Sequence, residues 1–278
     1  MKKNLKYERI WKVLLNLKKL LLGLSGVIFV FCLGLFSYSF FKDLIYTTDD
    51  FLNTKASPLA SLSKEGEDIK SLDFNGVSLG YEMFKVDNAS NLVLIENIDQ
   101  KDTLELVRNN SCAKAINGSF YDTNNKPLGL FISGGEVKGK AIKSVLFDGF
   151  FGVSQKGDFF IKRDLIEEDL RLGIQSGPLL FEDGIMLSLK IKDDFPARRM
   201  VALETVKGDL YFLTVFEKQA RFNGPKLQEL PLVLKLIFEE QGIIIKNALN
   251  LDGGAASVFK KDDFYLEELK PIGSLFCY

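Results

Sequence analysis

The stretch Asn247-Ala-Leu-Asn-Leu-Asp-Gly-Gly-Ala-Ala-Ser257 decides how the rest of the chain is read. Its apolar half has the composition of a buried strand, which delivers Asp252 to a point where Gly253 and Gly254 permit a backbone path that other residues resist. Ser257 follows within reach of that turn. A carboxylate at the end of a core strand, with no side chains crowding the next two positions, is one way for a fold to present an acid to a ligand. A tight Asp-Gly turn between two strands is the plainer reading of the same dipeptide. A second Gly-flanked polar cluster upstream, Asn117-Gly-Ser-Phe-Tyr-Asp122, shifts the balance toward a ligand site.

Working outward, Leu227 to Gln241 has helical spacing, with Pro231 near its start and Gly242 to end it. Val201 to Glu204 and Leu210 to Phe216 form a hairpin around Lys207-Gly-Asp209. The segment Gly173-Ile-Gln-Ser-Gly-Pro-Leu-Leu-Phe181 sets a polar Gln-Ser pair before a strand that turns at Glu182-Asp-Gly184. Further strands are expected at Val77–Val86, Leu92–Ile95, Ala113–Asn117, Leu128–Ile132, Val145–Val153 and Phe159–Arg163. Short helices are expected at Thr103–Asn109, capped by Asp102 or Thr103, and at Glu167–Leu172. Many strands with few helices predict an α+β domain on a mixed, twisted sheet over residues 71–278.

The N-terminal quarter reads differently. Residues 1–19 hold seven basic residues (Lys2, Lys3, Lys6, Arg9, Lys12, Lys18, Lys19) against Glu8 alone. Leu20 to Phe41 is 22 residues without a charge, long enough to cross a hydrocarbon core about 30 Å thick. A cleaved signal peptide is the rival reading, but Phe36-Ser-Tyr-Ser-Phe-Phe41 is a poor cleavage site. A basic tail before the span keeps the N-terminus cytoplasmic, so the expected order is a tail at 1–19, a signal anchor at 20–41, a linker at 42–70 and an extracellular or periplasmic domain.

Without its first 19 residues the chain carries 29 positive and 36 negative side chains, a net of −7. An acidic body argues against a nucleic-acid partner, since phosphate binding needs a basic surface. There is no histidine, which removes Ser-His-Asp and Cys-His catalysis, imidazole zinc sites and a histidine base. Proton transfer would fall to Asp, Glu, Tyr or Lys; no cofactor is certain from these residues, and any metal would be a hard, oxygen-liganded one such as calcium or magnesium. Of three cysteines, Cys32 lies in the apolar span, and Cys112 and Cys277 either pair in an oxidising compartment or are simply buried.

Four clusters share one design, in which an apolar strand ends, glycine relaxes the backbone and a polar side chain follows. They are Asn117–Asp122 with Gly129, Gln175-Ser-Gly-Pro178, Ala197-Arg-Arg199, and Asn250-Leu-Asp-Gly-Gly254 with Ser257. Their order and content over residues 75–278 resemble the phosphodiester glycosidase domain family. The family shows an Asn-Gly-Gly-Phe-Phe-like segment, a Gln-Ser-Gly-Pro-like segment, an Arg before an apolar strand and a C-terminal Leu-Asp-Gly-Gly-Gly-Ser. This chain departs from it with Ser119 and Ala255 in place of glycine, which narrow the space beside the backbone, and with Tyr121 in place of phenylalanine.

The resemblance implies hydrolysis of a sugar joined through its anomeric carbon to phosphate, a good leaving group that makes strong acid assistance less necessary than in ordinary glycosides. Asp252 and Asp122 are the implied carboxylates and Arg199 the phosphate clamp. Asn117, Gly118, Gln175, Ser176, Gly253, Gly254 and Ser257 are the implied substrate contacts. Each has a structural alternative: Asp122 closing a turn at Thr123-Asn-Asn125, one of Arg198 and Arg199 pointing away, and Asn117 and Ser257 satisfying buried backbone. The expected function is a membrane-anchored, extracytoplasmic glycosyl-phosphodiester hydrolase. A non-catalytic glycan or phosphoglycan-binding module of the same fold is the alternative, and a partner of another membrane protein through residues 20–41 a third.

Overall fold

A computed structural model describes residues 69–165 and 169–278. The tail, the expected span and nearly all of the linker lie outside the described residues. Among the described residues no helix is long and apolar enough to cross a membrane.

In chain order the strands begin β1 (Ser71–Phe74), β2 (Val77–Val86), β3 (Val93–Glu96), β4 (Lys114–Asn117), β5 (Phe131–Ser133) and β6 (Glu136–Gly139). They continue β7 (Gly149–Ser154), β8 (Phe159–Lys162), β9 (Leu170–Ser176), β10 (Leu179–Glu182), β11 (Ile185–Met186) and β12 (Arg199–Thr205). The last five are β13 (Leu210–Glu217), β14 (Ile245–Asn250), β15 (Phe259–Lys261), β16 (Phe264–Leu266) and β17 (Ser274–Cys277). Two α-helices, α1 (Thr103–Asn109) and α2 (Leu230–Glu239), complete the described part.

These strands form a seven-stranded sheet in the order β1-β2-β13-β12-β14-β10-β11 and two five-stranded sheets, β16-β15-β4-β17-β3 and β6-β5-β9-β7-β8. Every pairing among them is antiparallel, which corrects the expected mixed sheet. The physical reason is the supply of crossovers. A parallel pair needs a long connection, usually helical, and two short helices leave hairpins and sheet-changing loops to join most strands.

The large sheet is apolar on both faces. Met200 and Ala202 of β12 face a core shared by all three sheets, whereas Val201 and Leu203 face α2 through Val233, Leu234, Ile237 and Phe238. One phenylalanine from each sheet meets in the shared core: Phe212 stacks on Phe276 at 5.2 Å, and Phe151 stands edge-on to Phe276 at 5.3 Å. Asp102 caps α1 by accepting from the Leu104 and Glu105 amides. That helix packs with Leu106 and Val107 on the outer side of the β4–β17 sheet, where Cys112 is disulfide-bonded to Cys277.

A second correction concerns the helix expected at Glu167–Leu172. Residues 166–168 are outside the described set, but from Leu170 the chain is β9, paired along β7 from Gly149↔Ser176 to Ser154↔Leu170. Leu170, Leu172 and Ile174 alternate into apolar surroundings, and this tertiary pairing outweighs the helical leaning of Glu-Glu-Asp-Leu-Arg.

Candidate functional site

The register of β14 on β12 positions the site. Asn250 sits opposite Val201, and the Leu251 amide then donates to Met200 O at 2.8 Å, so Asp252 leaves the sheet beside the start of β12. There the Asp252 amide donates to Gly118 O at 3.1 Å, joining the stretch at 247–257 to the upstream cluster. Asn117 completes the junction. Its Nδ2 donates to Asp252 O at 2.7 Å and its Oδ1 accepts from the Val258 amide at 3.0 Å, so one buried amide holds both ends of the 252–258 turn.

The two glycines in that turn have separate reasons. A Cβ on Gly253 would lie 2.6 Å from the Arg198 carbonyl oxygen, and Gly254 has φ +66°, the left-handed region that side chains disfavour. The Gly254 amide donates to that same Arg198 oxygen at 2.8 Å.

Arg198 and Arg199 part company here. Arg198 is 0% exposed; its Nε donates to Ser257 Oγ at 2.8 Å, and an Nη donates to the Ser257 and Glu267 carbonyl oxygens. The guanidinium lies 4.7 Å from the Phe222 ring centre. Burial lowers its pKa to about 10, so it stays a cation at neutral pH. Arg199 shares the α2-facing side of β12 with Val201. Its Nε donates to Pro225 O at 2.9 Å and an Nη donates to Phe195 O at 2.7 Å, with Asp194 3.5 Å away. The expected phosphate clamp is therefore turned away from Asp252, because alternation along a strand sends neighbours to opposite faces.

Gln175 is also relocated by its hydrogen bonds. Its Oε1 accepts from the Leu130 and Ile142 amides, and its Nε2 donates to the Ile142 and Phe147 carbonyls. Two acceptor and two donor positions are thus filled, leaving none for a sugar. Ser176 Oγ donates to Asn250 O at 2.8 Å, and Ser257 Oγ donates to Gly254 O. The implied contacts Asn117, Gln175, Ser176 and Ser257 are all buried scaffold groups that shape the loops. Gly118 packs its backbone against Ser274, whose Oγ a Cβ would meet at 2.5 Å.

Asp252 itself is half-buried and keeps part of its surface open. Burial pushes its carboxyl up to about 7, against a smaller opposing pull from the Gly253 N–H, which donates to Oδ1 at 2.9 Å. Asp122 is set differently. Its Oδ1 accepts from the Lys126 amide at 2.9 Å and the Asn124 amide at 2.8 Å, which hold its pKa below the usual carboxylate value. It closes a turn and stays ionised.

An aromatic and backbone wall stands beside these groups. Phe120 packs on Phe147 with ring centres 5.0 Å apart, and the Leu146–Asp148 backbone sits against Gly177, whose carbonyl accepts from Asn250 Nδ2 at 2.9 Å. Asn250 Oδ1 and Ser119 Oγ are buried nearby without a partner among the described residues. Two hollows among the described residues lie away from Asp252. One of about 480 Å³ lies at Lys85, Asp158 and Asp209, and one of about 290 Å³ lies between α2 and β11. The described residues hold no cluster of three or more acidic or cysteine side chains that could bind a metal.

Residues 110–266, which contain all four clusters whole, match the family model for phosphodiester glycosidase. The chain belongs to the phosphodiester glycosidase family. Among solved structures, the catalytic domain of zebrafish N-acetylglucosamine-1-phosphodiester alpha-N-acetylglucosaminidase, auto-inhibited by its pro-peptide, is similar with a TM-score of 0.58 and 18% identity, over 75% of this chain and 80% of that one. A hypothetical protein from Synechocystis is similar with a TM-score of 0.56 and 14% identity, over 76% of this chain and 61% of that one. At such identities the likeness is one of fold. The uncharacterized protein YigE of Escherichia coli (strain K12) is 30% identical over 82 residues, or 26% of this chain and 32% of that protein. The matched part thus spans about a third of YigE. The phosphodiester glycosidase match includes Asn117, Arg198, Asp252 and Ser257, so the interlocked turn described above lies wholly inside it.

Proposed function

We propose that this phosphodiester glycosidase domain hydrolyses a glycosyl phosphodiester outside the cytoplasm, held to a membrane through residues 20–41. The observation that carries the reading is Asp252. It is a largely buried, partly exposed carboxylate at the junction of two family segments, with a pKa of about 7, so that both protonation states are populated near neutrality.

A sugar 1-phosphodiester has a good leaving group, so strong acid assistance at the bridging oxygen is less necessary than in ordinary glycosides. What the site must supply is stabilisation of a cationic, oxocarbenium-like transition state and delivery of water to the anomeric carbon. Asp252 in its ionised form does either: the carboxylate stabilises the positive ring carbon, or it takes a proton from the attacking water. Asp122 is the candidate for the second carboxylate. With Arg199 turned away, Arg198 committed to backbone carbonyls and the Gly253 and Gly254 N–H groups already bonded, phosphate recognition falls to main-chain N–H groups of the turn beyond Gly254.

The extracytoplasmic location is supported by the basic tail preceding an uncharged 22-residue stretch and by the Cys112–Cys277 disulfide, which belongs to oxidising compartments. The test is release of sugar from a panel of sugar 1-phosphodiesters by the full chain, with calcium or with a chelator, beside Asp252→Asn. Loss of turnover in the variant with an unchanged fold is the expected result. Turnover surviving in Asp252→Asn removes that residue from the chemistry. Binding without turnover in the wild type replaces the hydrolase with a glycan-binding module.

A further inference from the structure

The segment between β6 and β7 combines features that a solvent-facing loop rarely combines. Its tip is apolar and open: Val145 is 91% exposed, Leu146 49% and Ile142 44%. Lys140 and Lys143 are interleaved with these residues and carry no ion pair among the described residues, unlike Lys138, which is paired with Glu96 at 2.7 Å. The loop is also fastened from beneath. Gln175 binds Ile142 through both its N–H and its C=O, and holds Phe147 O at 2.7 Å. Ser144 Oγ accepts from the Leu146 and Phe147 amides. Apolar side chains held out in this way cannot fold back to hide themselves, and clustered exposure of this kind marks an interaction surface.

We propose that the loop Lys140–Leu146 docks on the surface of an anionic lipid bilayer, with Ile142, Val145 and Leu146 entering the interface and Lys140 and Lys143 meeting the headgroups. Alternating cationic and apolar side chains match the layered chemistry of that boundary, where acyl chains lie just beneath negative charge. A soluble apolar ligand would leave the two lysines unanswered, and an acidic polymer would leave the three apolar side chains in water.

The inference rests on the membrane-anchored part of the reading above, and adds an orientation to it. Twenty-seven residues separate Phe41 from Ile69, which fully extended would span up to about 90 Å, so a tether alone does not set which face meets the membrane. The docked loop does. Because Phe147 packs on Phe120 and Leu146 backs onto Gly177, whose carbonyl holds Asn250 two residues before Asp252, docking turns the Asp252 side of the domain toward the bilayer surface.

The test uses the full chain with Trp11→Phe, which removes the chain's one tryptophan, and Val145→Trp as a probe. A second protein carries the probe as Val206→Trp, at an exposed turn at the far end of β12. Both are reconstituted in vesicles of phosphatidylcholine and phosphatidylglycerol, with or without brominated acyl chains, and flotation is measured alongside emission. Flotation reports the anchor, and quenching by brominated lipid reports the loop. The expected result is flotation of both proteins, with blue-shifted, quenched emission from the position-145 probe and unquenched emission from the position-206 probe. Adding Lys140→Glu and Lys143→Glu is expected to shift the docked population roughly tenfold toward undocked, lowering the quenching. Flotation with an unquenched position-145 probe overturns the docking while the anchor stands. Failure to float overturns the anchor and the docking with it. A blue shift that grows with protein concentration in detergent alone overturns it in favour of self-association.

Discussion

At the residue scale, Asp252 carries a cost that activity would repay. Its carboxyl is neutral more readily in the fold than in the unfolded chain, where its pKa is near 3.8. Stability contributed by the neutral form is complete below that value and is lost as pH rises through the folded value of about 7. Asp252→Asn is expected to match the wild type at pH 4 and to exceed it above pH 7 by a few kcal/mol, measured by urea unfolding across pH. The same variant is expected to lower sugar release by about a hundredfold or more. If Asp252 acts as an ionised group, wild-type activity rises as pH passes through about 7, and a rate that falls there assigns it the acid role instead. The paired arginines give a second contrast. Arg198→Met strands the Ser257 and Glu267 carbonyls in the interior and is expected to cost about 3 kcal/mol or more. Arg199→Met is expected to leave sugar release near wild type, because its guanidinium binds Pro225 and Phe195 on the other face. Equal loss of activity in two stable variants would return Arg199 to the site. Nothing in Arg198-Arg199 itself told which would be buried. β12 is apolar on both faces, so its alternation has no polar side to read.

At the element scale, the strands that alternate cleanly or end at glycine were legible: β2, the β12–β13 hairpin and β14 stand where the pattern puts them. Helix α2 begins at Leu230 with Pro231 in its first turn, where the missing amide costs no hydrogen bond. Strand β9 was not legible, since its partners β5 and β7 lie at least 16 residues upstream and the local composition leans helical. Gln175 belongs to the same lesson: its four hydrogen bonds run to Leu130, Ile142 and Phe147, and no local spacing shows such a set. The disulfide ties the chain after α1 to β17 across 165 residues. Cys112→Ser with Cys277→Ser is expected to lower stability by about 2–5 kcal/mol, read as a shifted denaturation midpoint at unchanged slope.

At the scale of the whole molecule, the proposed topology makes a prediction of its own. An external protease applied to intact cells is expected to remove a tag placed after Tyr278 and to spare a tag placed before Met1; the reverse pattern would invert the orientation. Composition and order along the chain determined the broad outcome. A sheet-rich domain, the absence of imidazole chemistry, the family and the place of Asp252 at a strand end all follow from local apolar pattern, residue inventory and glycine, which act over a few residues. Tertiary structure alone decided that the pairings are antiparallel and that Arg198 rather than Arg199 lies under the Asp252 turn. It likewise decided that Asn117, Gln175, Ser176 and Ser257 support loops instead of pointing into open space. The reason is physical: a polar side chain's role is set by which donors and acceptors surround it, and here those come from segments tens to more than a hundred residues away.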